Sequence, residues 1–432
     1  MSESTLGLAT ARPRLQWGPA LCTLALAILA GLLVLHGLQG ALPRDLWWQA
    51  LWAPDLDDVR QVLLHFSFFP RLVVSLMAGA ALALAGTLFQ QILRNPLAEP
   101  VTLGVSAGAN LALSAATIFA PALLVHGLEA VTLAGAALAA GLLFAFAWGR
   151  TLSPLRFILA GMVISLYCVS LNALLVLFNH DYLIDLLLWQ AGSLNQSGWD
   201  GVLYLAPRLA LAMVIALLMV RPLAALGLED EGAAAVGVNL LRTRVLGLAV
   251  AVALSAFVTS AVGMLAFVGL AAPAIARLCG ARTLKQRLVW APLLGAALLC
   301  GVDQIARELS RFAGDIPAGI LTGIFSVPLL LWLLSRQRSG GIVPRPAPAK
   351  PQREHPWRLI IGAAILLGLL TLPAIYFAVD ANGWHWGDAG LSDAIGQWRL
   401  PRVLGSLAAG AMLAVAGLLV QRLTGNPMAS PE

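Results

Sequence analysis

Residues 70–100 read PRLVVSLMAGAALALAGTLFQQILRNPLAEP, and residues 401–431 read PRVLGSLAAGAMLAVAGLLVQRLTGNPMASP. The two stretches align without a gap, with 17 of 31 positions identical at a constant offset of 331. Solenoid repeats recur every ~20–50 residues, so an offset this long marks a whole domain beginning again. One residue, Glu432, follows the second copy. The expected organisation is a first domain over 1–338, a cytoplasmic linker over 339–356 and the opening of a second domain over 357–432. On this reading the chain is a fragment of a longer protein, produced by incomplete sequence, a frameshift or deliberate shortening.

Composition sets the class. Hydrophobic residues make up 59% of the chain and charged residues 11%, with a mean hydropathy of +0.85. Soluble domains carry about 25% charged residues, and no single core could bury this much apolar surface. The 41 glycines suit membrane helices, where small residues let backbones approach closely. The fold class is therefore an all-α integral membrane protein. The net charge of +6 comes from basic residues clustered in alternate loops, which is a topological signal and not a nucleic-acid surface. Cys22, Cys168, Cys279 and Cys300 lie in or beside apolar segments without a CxxC pair, so they read as structural thiols, with no metal site.

Apolar stretches long enough to cross a bilayer fall near 17–38, 66–93, 101–122, 128–149, 155–178, 201–220, 245–268, 289–308 and 319–335, with a short one near 270–279. Two more follow the linker, near 357–379 and 401–423. Arginines and lysines accumulate in the loops that become cytoplasmic if the N-terminus is cytoplasmic, among them Arg150, Arg156, Arg242, Arg244, Arg282 and Lys285. Both copies of the repeated stretch then begin in the same direction, which predicts parallel repeats about an axis along the membrane normal.

Within the repeat, Ser75, Gly79, Ala83 and Gly86 place small residues along one helix face. This spacing serves tight packing or a translocation path about equally well. The stretch closes on Asn95-Pro96 and Pro100, repeated as Asn426-Pro427 and Pro431. Two prolines four residues apart end a helix, and Asn95 can satisfy the backbone of the resulting turn. The loop Leu228–Arg244 reads LEDEGAAAVGVNLLRTR. Glu229, Asp230 and Glu231 suit the positive end of a short helix, Gly237 can cap it in the left-handed conformation, and Asn239 to Arg244 can begin a second short helix. Such a helix–glycine–helix can dock in a groove of another protein. Asp303, with Arg307 one turn on, reads as an internal ion pair. His180, Asp181 and Asp185 read as part of a solvated outer loop carrying Trp189, not as metal ligands.

No P-loop, HExxH, GxSxG or CxxC motif occurs, and no run of buried acids suggests a proton relay. Catalytic residues are not expected, and any energy source sits on a partner.

Taken in order, the PR start of the repeat, RNPLAEP, WQAGSLNQSGW, EGAAAVGV, VGMLAFVGLAAPAIARLCG and DIPAGILTGIFSVPLLLWLL resemble the permeases of iron-siderophore and cobalamin ATP-binding-cassette importers, the type II importers. The resemblance covers residues 17–338 and implies a ten-span permease domain followed by the first two spans of a parallel copy. Two such domains in one chain, and the NPMASPE ending, resemble the ferric-hydroxamate branch of that family. The implied function is the transmembrane permease of an ATP-driven importer of ferric siderophores, ferric hydroxamates above all, in the bacterial inner membrane. Implied partners are a cytoplasmic ATPase dimer, a periplasmic siderophore-binding protein, the ferric siderophore and membrane lipid. ATP and magnesium belong to the ATPase, and this chain binds no cofactor and no nucleic acid.

The resemblance makes Glu229, Glu231, Gly237, Asn239 and Arg242 the ATPase-coupling loop. It makes Arg71, Arg399, Arg402 and more loosely Arg307 the docking arginines for the binding protein, and Asn95, Pro96, Asn426 and Pro427 the paired hairpins. Phe68 stands where the second copy has Arg399, so the two outer faces differ. Ten spans plus two do not enclose a central path, so the chain as written is not expected to transport alone. The alternatives are a gradient-driven secondary transporter and a non-functional truncated remnant.

Overall fold

The structure, a computed structural model, describes residues 17–147, 154–228, 230–314, 316–336, 356–380, 383–386 and 395–424. The chain divides into two units, Met1–Arg338 and Ser339–Glu432. The first begins with α1 (Gly18–Ala41), α2 (Trp47–Trp52), α3 (Val59–Leu63), α4 (Phe69–Ile92), α5 (Val105–Phe119), α6 (Leu128–Ala147), α7 (Pro154–Phe178) and α8 (His180–Gln190). It continues with α9 (Asp200–Leu218), α10 (Val220–Ala225), α11 (Asp230–Ala235), α12 (Leu240–Val262), α13 (Val268–Leu278), α14 (Leu284–Ala313) and α15 (Ala318–Arg336). The second holds α16 (Pro356–Tyr376), the antiparallel strands β1 (Phe377–Asp380) and β2 (Gly383–Trp386), and α17 (Leu400–Thr424).

Among the described residues nine helical segments are long and apolar enough to cross a membrane, seven of them in the first unit, while α5 and α13 are shorter. A π-helical turn at Leu64–Phe68 joins α3 to α4, so Val59–Ile92 runs as one apolar rod of 34 residues. α4, α12 and α14 form the buried centre, and α1, α7 and α9 turn Leu21, Ile28, Leu32, Leu166, Leu174 and Leu211 outward. Exposed apolar faces of this extent fit a lipid environment.

The small-residue stripe of α4 does the packing. Ser75, Gly79, Ala83 and Gly86 are all buried. A Cβ on Gly79 would overlap the carbonyl of Gly295 in α14, and one on Gly86 would overlap the carbonyl of Gly269 in α13. Backbones this close leave no room for a side chain, and the gain is dispersion contact along both helices.

Four segments differ from the sequence reading. The expected span 101–122 shortens to α5, because Pro100 and the left-handed Gly104 (φ +80°) force a separate turn first. Residues 180–190 form α8 and not a loop: no glycine or proline interrupts them before Gly192, and Leu183 and Gln190 are buried on one face. Asn239 opens the long α12 and not a short second helix, since nothing after it breaks the apolar run. Finally, the helix-only reading omits the β1–β2 hairpin, which pairs Phe377 with Trp386 and Asp380 with Gly383.

Candidate functional site

The two ends of α4 carry the chemistry. At its first turn, Arg71 Nε donates to Asp303 Oδ1 and Oδ2 at 3.0 Å each, and Nη2 donates to Oδ1 at 2.7 Å. Arg71 Nη1 donates to Asn195 Oδ1. The Asp303 side chain is 0% exposed and that of Arg71 17%. The internal ion pair therefore forms between Asp303 and Arg71, not between Asp303 and Arg307 as the one-turn spacing suggested. The planar guanidinium fork matches both carboxylate oxygens.

Arg307 instead lies with its Cζ 4.3 Å from the centroid of the Phe68 ring, a cation–π contact. The two arginines share the rims of two recesses of about 240 and 300 Å³. The first is lined also by Trp189, Ser193, Asn195, Ser310 and Pro317 and has no acidic lining residue among the described residues. It can receive an anionic group. The stretch 189–199 shapes this end: Gly192 (φ +91°) turns the chain, Asn195 holds Arg71, and Trp199 Nε1 donates to His65 Nε2 at 3.3 Å. Asn195 left no signal in the sequence, because its partner is 124 positions away.

The other end of α4 leads into the hairpin. Asn95 Oδ1 accepts from Leu97 N at 2.9 Å, the expected side-chain turn, and Pro96 is exposed. Asn426 and Pro427 lie outside the described residues, as does Glu229. The loop after α10 contains the six-residue α11, which begins at Asp230 and includes Glu231. Gly237 follows at φ +83°. Gly237 N donates to Ala234 O at 2.9 Å and Val238 N to Ala233 O at 3.2 Å, a Schellman cap that satisfies carbonyls the helix leaves open. Asn239 Oδ1 accepts from Arg242 N at 3.0 Å, capping α12. Alternating caps thus hold a short, exposed helix at a defined angle to a span.

Glu99, a residue the sequence reading passed over, is 5% exposed and accepts from Phe267 N at 3.1 Å. Phe267 carries a left-handed φ of +67° at the start of α13, so the carboxyl secures a strained turn. The available signal was an acid inside an otherwise apolar stretch, replaced by Ser430 in the second copy. Burial pushes the Glu99 carboxyl up from 4.5 to about 7, outweighing the Phe267 hydrogen bond, which acts downward. The neutral acid is favoured in the fold. Its stabilisation is fully present below about pH 4.5 and is lost as pH rises through about 7. The difference amounts to about 3 kcal/mol. The thermal midpoint of the protein in detergent should fall between pH 5 and pH 8, and Glu99→Gln should flatten that slope; an unchanged slope in the variant removes Glu99 as its source.

In the second unit Arg402 is exposed. Arg399 is half-buried and donates Nη1 to Phe377 O at 2.7 Å. Among the described residues no cluster of three His, Cys, Asp or Glu side chains is placed to hold a metal ion.

Long apolar spans, backbone-close helix crossings and a glycine-capped surface helix describe a polytopic α-helical membrane protein. The chain belongs to the FecCD transport family, whose profile matches residues 23–336 and 359–432. It is 44% identical, over 100% of its length, to the iron(3+)-hydroxamate import system permease protein FhuB of Salmonella typhimurium. It is also 44% identical over 96% of its length to the same-named permease of Escherichia coli. The chain spans 63% of the length of each of these relatives. The structure of an inward-facing metal-chelate type ABC transporter matches with a TM-score of 0.62 and 28% identity, covering 74% of this chain and 99% of that one.

Proposed function

We infer that the chain is the permease part of an ATP-driven importer of ferric hydroxamates across the bacterial inner membrane, with its N-terminus in the cytoplasm. The observation that carries this reading is 44% identity, sustained along the whole chain, to a permease named for iron(3+)-hydroxamate import. The geometry supports it. In this orientation the capped α11 lies on the cytoplasmic side, where a small exposed helix can seat in a groove of an ATPase dimer. The arginine-rimmed recess lies on the opposite side, where a siderophore-binding protein delivers its cargo. The two buried acids among the described residues, Glu99 and Asp303, bond to separate partners, Phe267 and Arg71, and not to one another, so they form no relay of the kind the gradient-driven alternative would use.

The test is uptake. The full-length protein, with its ATPase subunit and binding protein in liposomes, should import iron-loaded hydroxamate only when ATP is inside. Uptake that ignores ATP and collapses with an uncoupler rejects the importer.

The outer arginines supply a second check. An exposed ion pair is worth only about 0–1 kcal/mol, and its main effect is on encounter rate. Arg402→Glu should lower binding-protein stimulation of ATP hydrolysis severalfold at low salt, with the deficit shrinking as salt rises. Unchanged stimulation at low salt removes Arg402 from the docking face.

A further inference from the structure

Arg94 follows the last turn of α4 with φ +50°, the left-handed conformation. That position after a helix is normally glycine, because a side chain there is strained. The second copy obeys the rule: at the offset of 331 it has Gly425. The first copy places arginine in the left-handed conformation. The side chain therefore has a task that outweighs the strain.

Its contacts identify the task. Arg94 Nε donates to Leu226 O at 2.8 Å and Nη2 donates to Leu228 O at 2.5 Å. These carbonyls lie just past the end of α10, where a helix has acceptors without partners of their own and where the dipole favours a cation. In the sequence Leu228 stands directly before the acidic run Glu229-Asp230-Glu231 that leads into α11. Gln91, one turn back on α4, donates Nε2 to Leu223 O at 2.9 Å and accepts from Arg287 Nη2 at 2.8 Å. Three carbonyls from the stretch leading into the capped helix are thus gripped by the end of α4. The same helix carries Arg71, the partner of Asp303 on α14, at its other end.

We propose that Arg94 is a positioning residue that clamps the entrance of the 228–244 loop to α4, and that the clamp is particular to the first domain because the second has Gly425 in its place. This rests on the permease reading, in which that loop is the seat of the ATPase. The clamp fixes where the seat stands relative to the spans. Motion of the ATPase then moves α4 instead of being absorbed by a loose loop. With Gly425 at the matching position, the second copy has no side chain with which to make the same clamp.

The experiment uses Arg94→Gly, which removes the clamp while relieving the strain, and Arg94→Lys, which keeps the charge but loses the fork. In the full-length permease, backbone amide exchange over 226–236 should accelerate about tenfold in Arg94→Gly, with exchange over 240–262 unchanged. In liposomes with the ATPase and binding protein, ATP hydrolysis should stay within about twofold of wild type while hydroxamate-bound iron imported per ATP falls about fivefold. Arg94→Lys should lie between. Wild-type exchange over 226–236 in Arg94→Gly overturns the clamp, whatever the transport result. Accelerated exchange with no import by the wild-type assembly leaves the clamp standing and rejects the importer reading instead.

Discussion

Arg71→Ala is expected to destabilise the first unit by about 3–5 kcal/mol, the usual penalty for breaking a buried ion pair by removing one partner. Asp303 has no exposed side-chain surface and takes three of its hydrogen bonds from Arg71. Without the guanidinium, its carboxylate is left in a low-dielectric interior between helices. The pair itself contributes less than its loss would suggest, because both ions gave up hydration to form it. Replacing both members, Arg71→Met with Asp303→Leu, should therefore recover most of the stability lost in the single variant. The measurement is the thermal midpoint in detergent for the two single variants and the double one. A wild-type midpoint for Arg71→Ala would show that the pair is not structural. The double variant also separates two roles. If it folds and keeps full stimulation by the binding protein, Arg71 serves the interior alone, and the proposed docking face is reduced to Arg307, Arg399 and Arg402.

The reason this pair escaped the sequence lies in helix crossing. Periodicity shows which residues share a face of one helix, so Asp303 pointed to Arg307 one turn away. It cannot show which face of another helix lies opposite. α4 and α14 run antiparallel and touch at Gly79 and Gly295. Arg71 lies eight positions before Gly79, and Asp303 eight positions after Gly295. Each is therefore about 12 Å along its helix from the crossing, on the same side, and the two side chains meet. The small-residue stripe was legible, and its meaning as a backbone crossing became definite only with the partner stripe.

The spans themselves were legible because a bilayer demands length and apolarity, which are local properties. The cap at Gly237 was legible for the same reason: an acid-led, alanine-rich run followed by glycine specifies its own end. Arg94 and Glu99 were not. Both sit in RNPLAEP, where the prolines announce a turn but say nothing of what the side chains reach. Their partners, Leu226, Leu228 and Phe267, are more than 130 positions away. Local polarity misled in the opposite way over 180–190: His180, Asp181 and Asp185 made a polar start that looked like a loop, while Leu183, Leu187 and Gln190 spaced the helix that forms.

Gly237→Val should abolish import by the full-length protein while leaving it in the membrane. The position is open: among the described residues nothing lies within 4 Å of where a Cβ would stand, so no clash is involved. The effect is conformational. Gly237 needs φ +83° to return its own amide to Ala234 and that of Val238 to Ala233. A β-branched residue is strained there by about 1–2 kcal/mol or more. A helix of six residues has little stability of its own, so this suffices to unwind or redirect α11. The spans do not depend on it: α12 has its own cap in Asn239, and thermal stability should change little. Transport depends on it fully if α11 seats on the ATPase, because a misdirected helix forms no seat. Gly237→Asn, which tolerates the left-handed region, should retain most activity, and Gly237→Ala should fall between. Import and ATP hydrolysis measured across the three variants should follow the order Asn, Ala, Val. Normal import by Gly237→Val would show that this glycine caps a helix with no part in driving the permease.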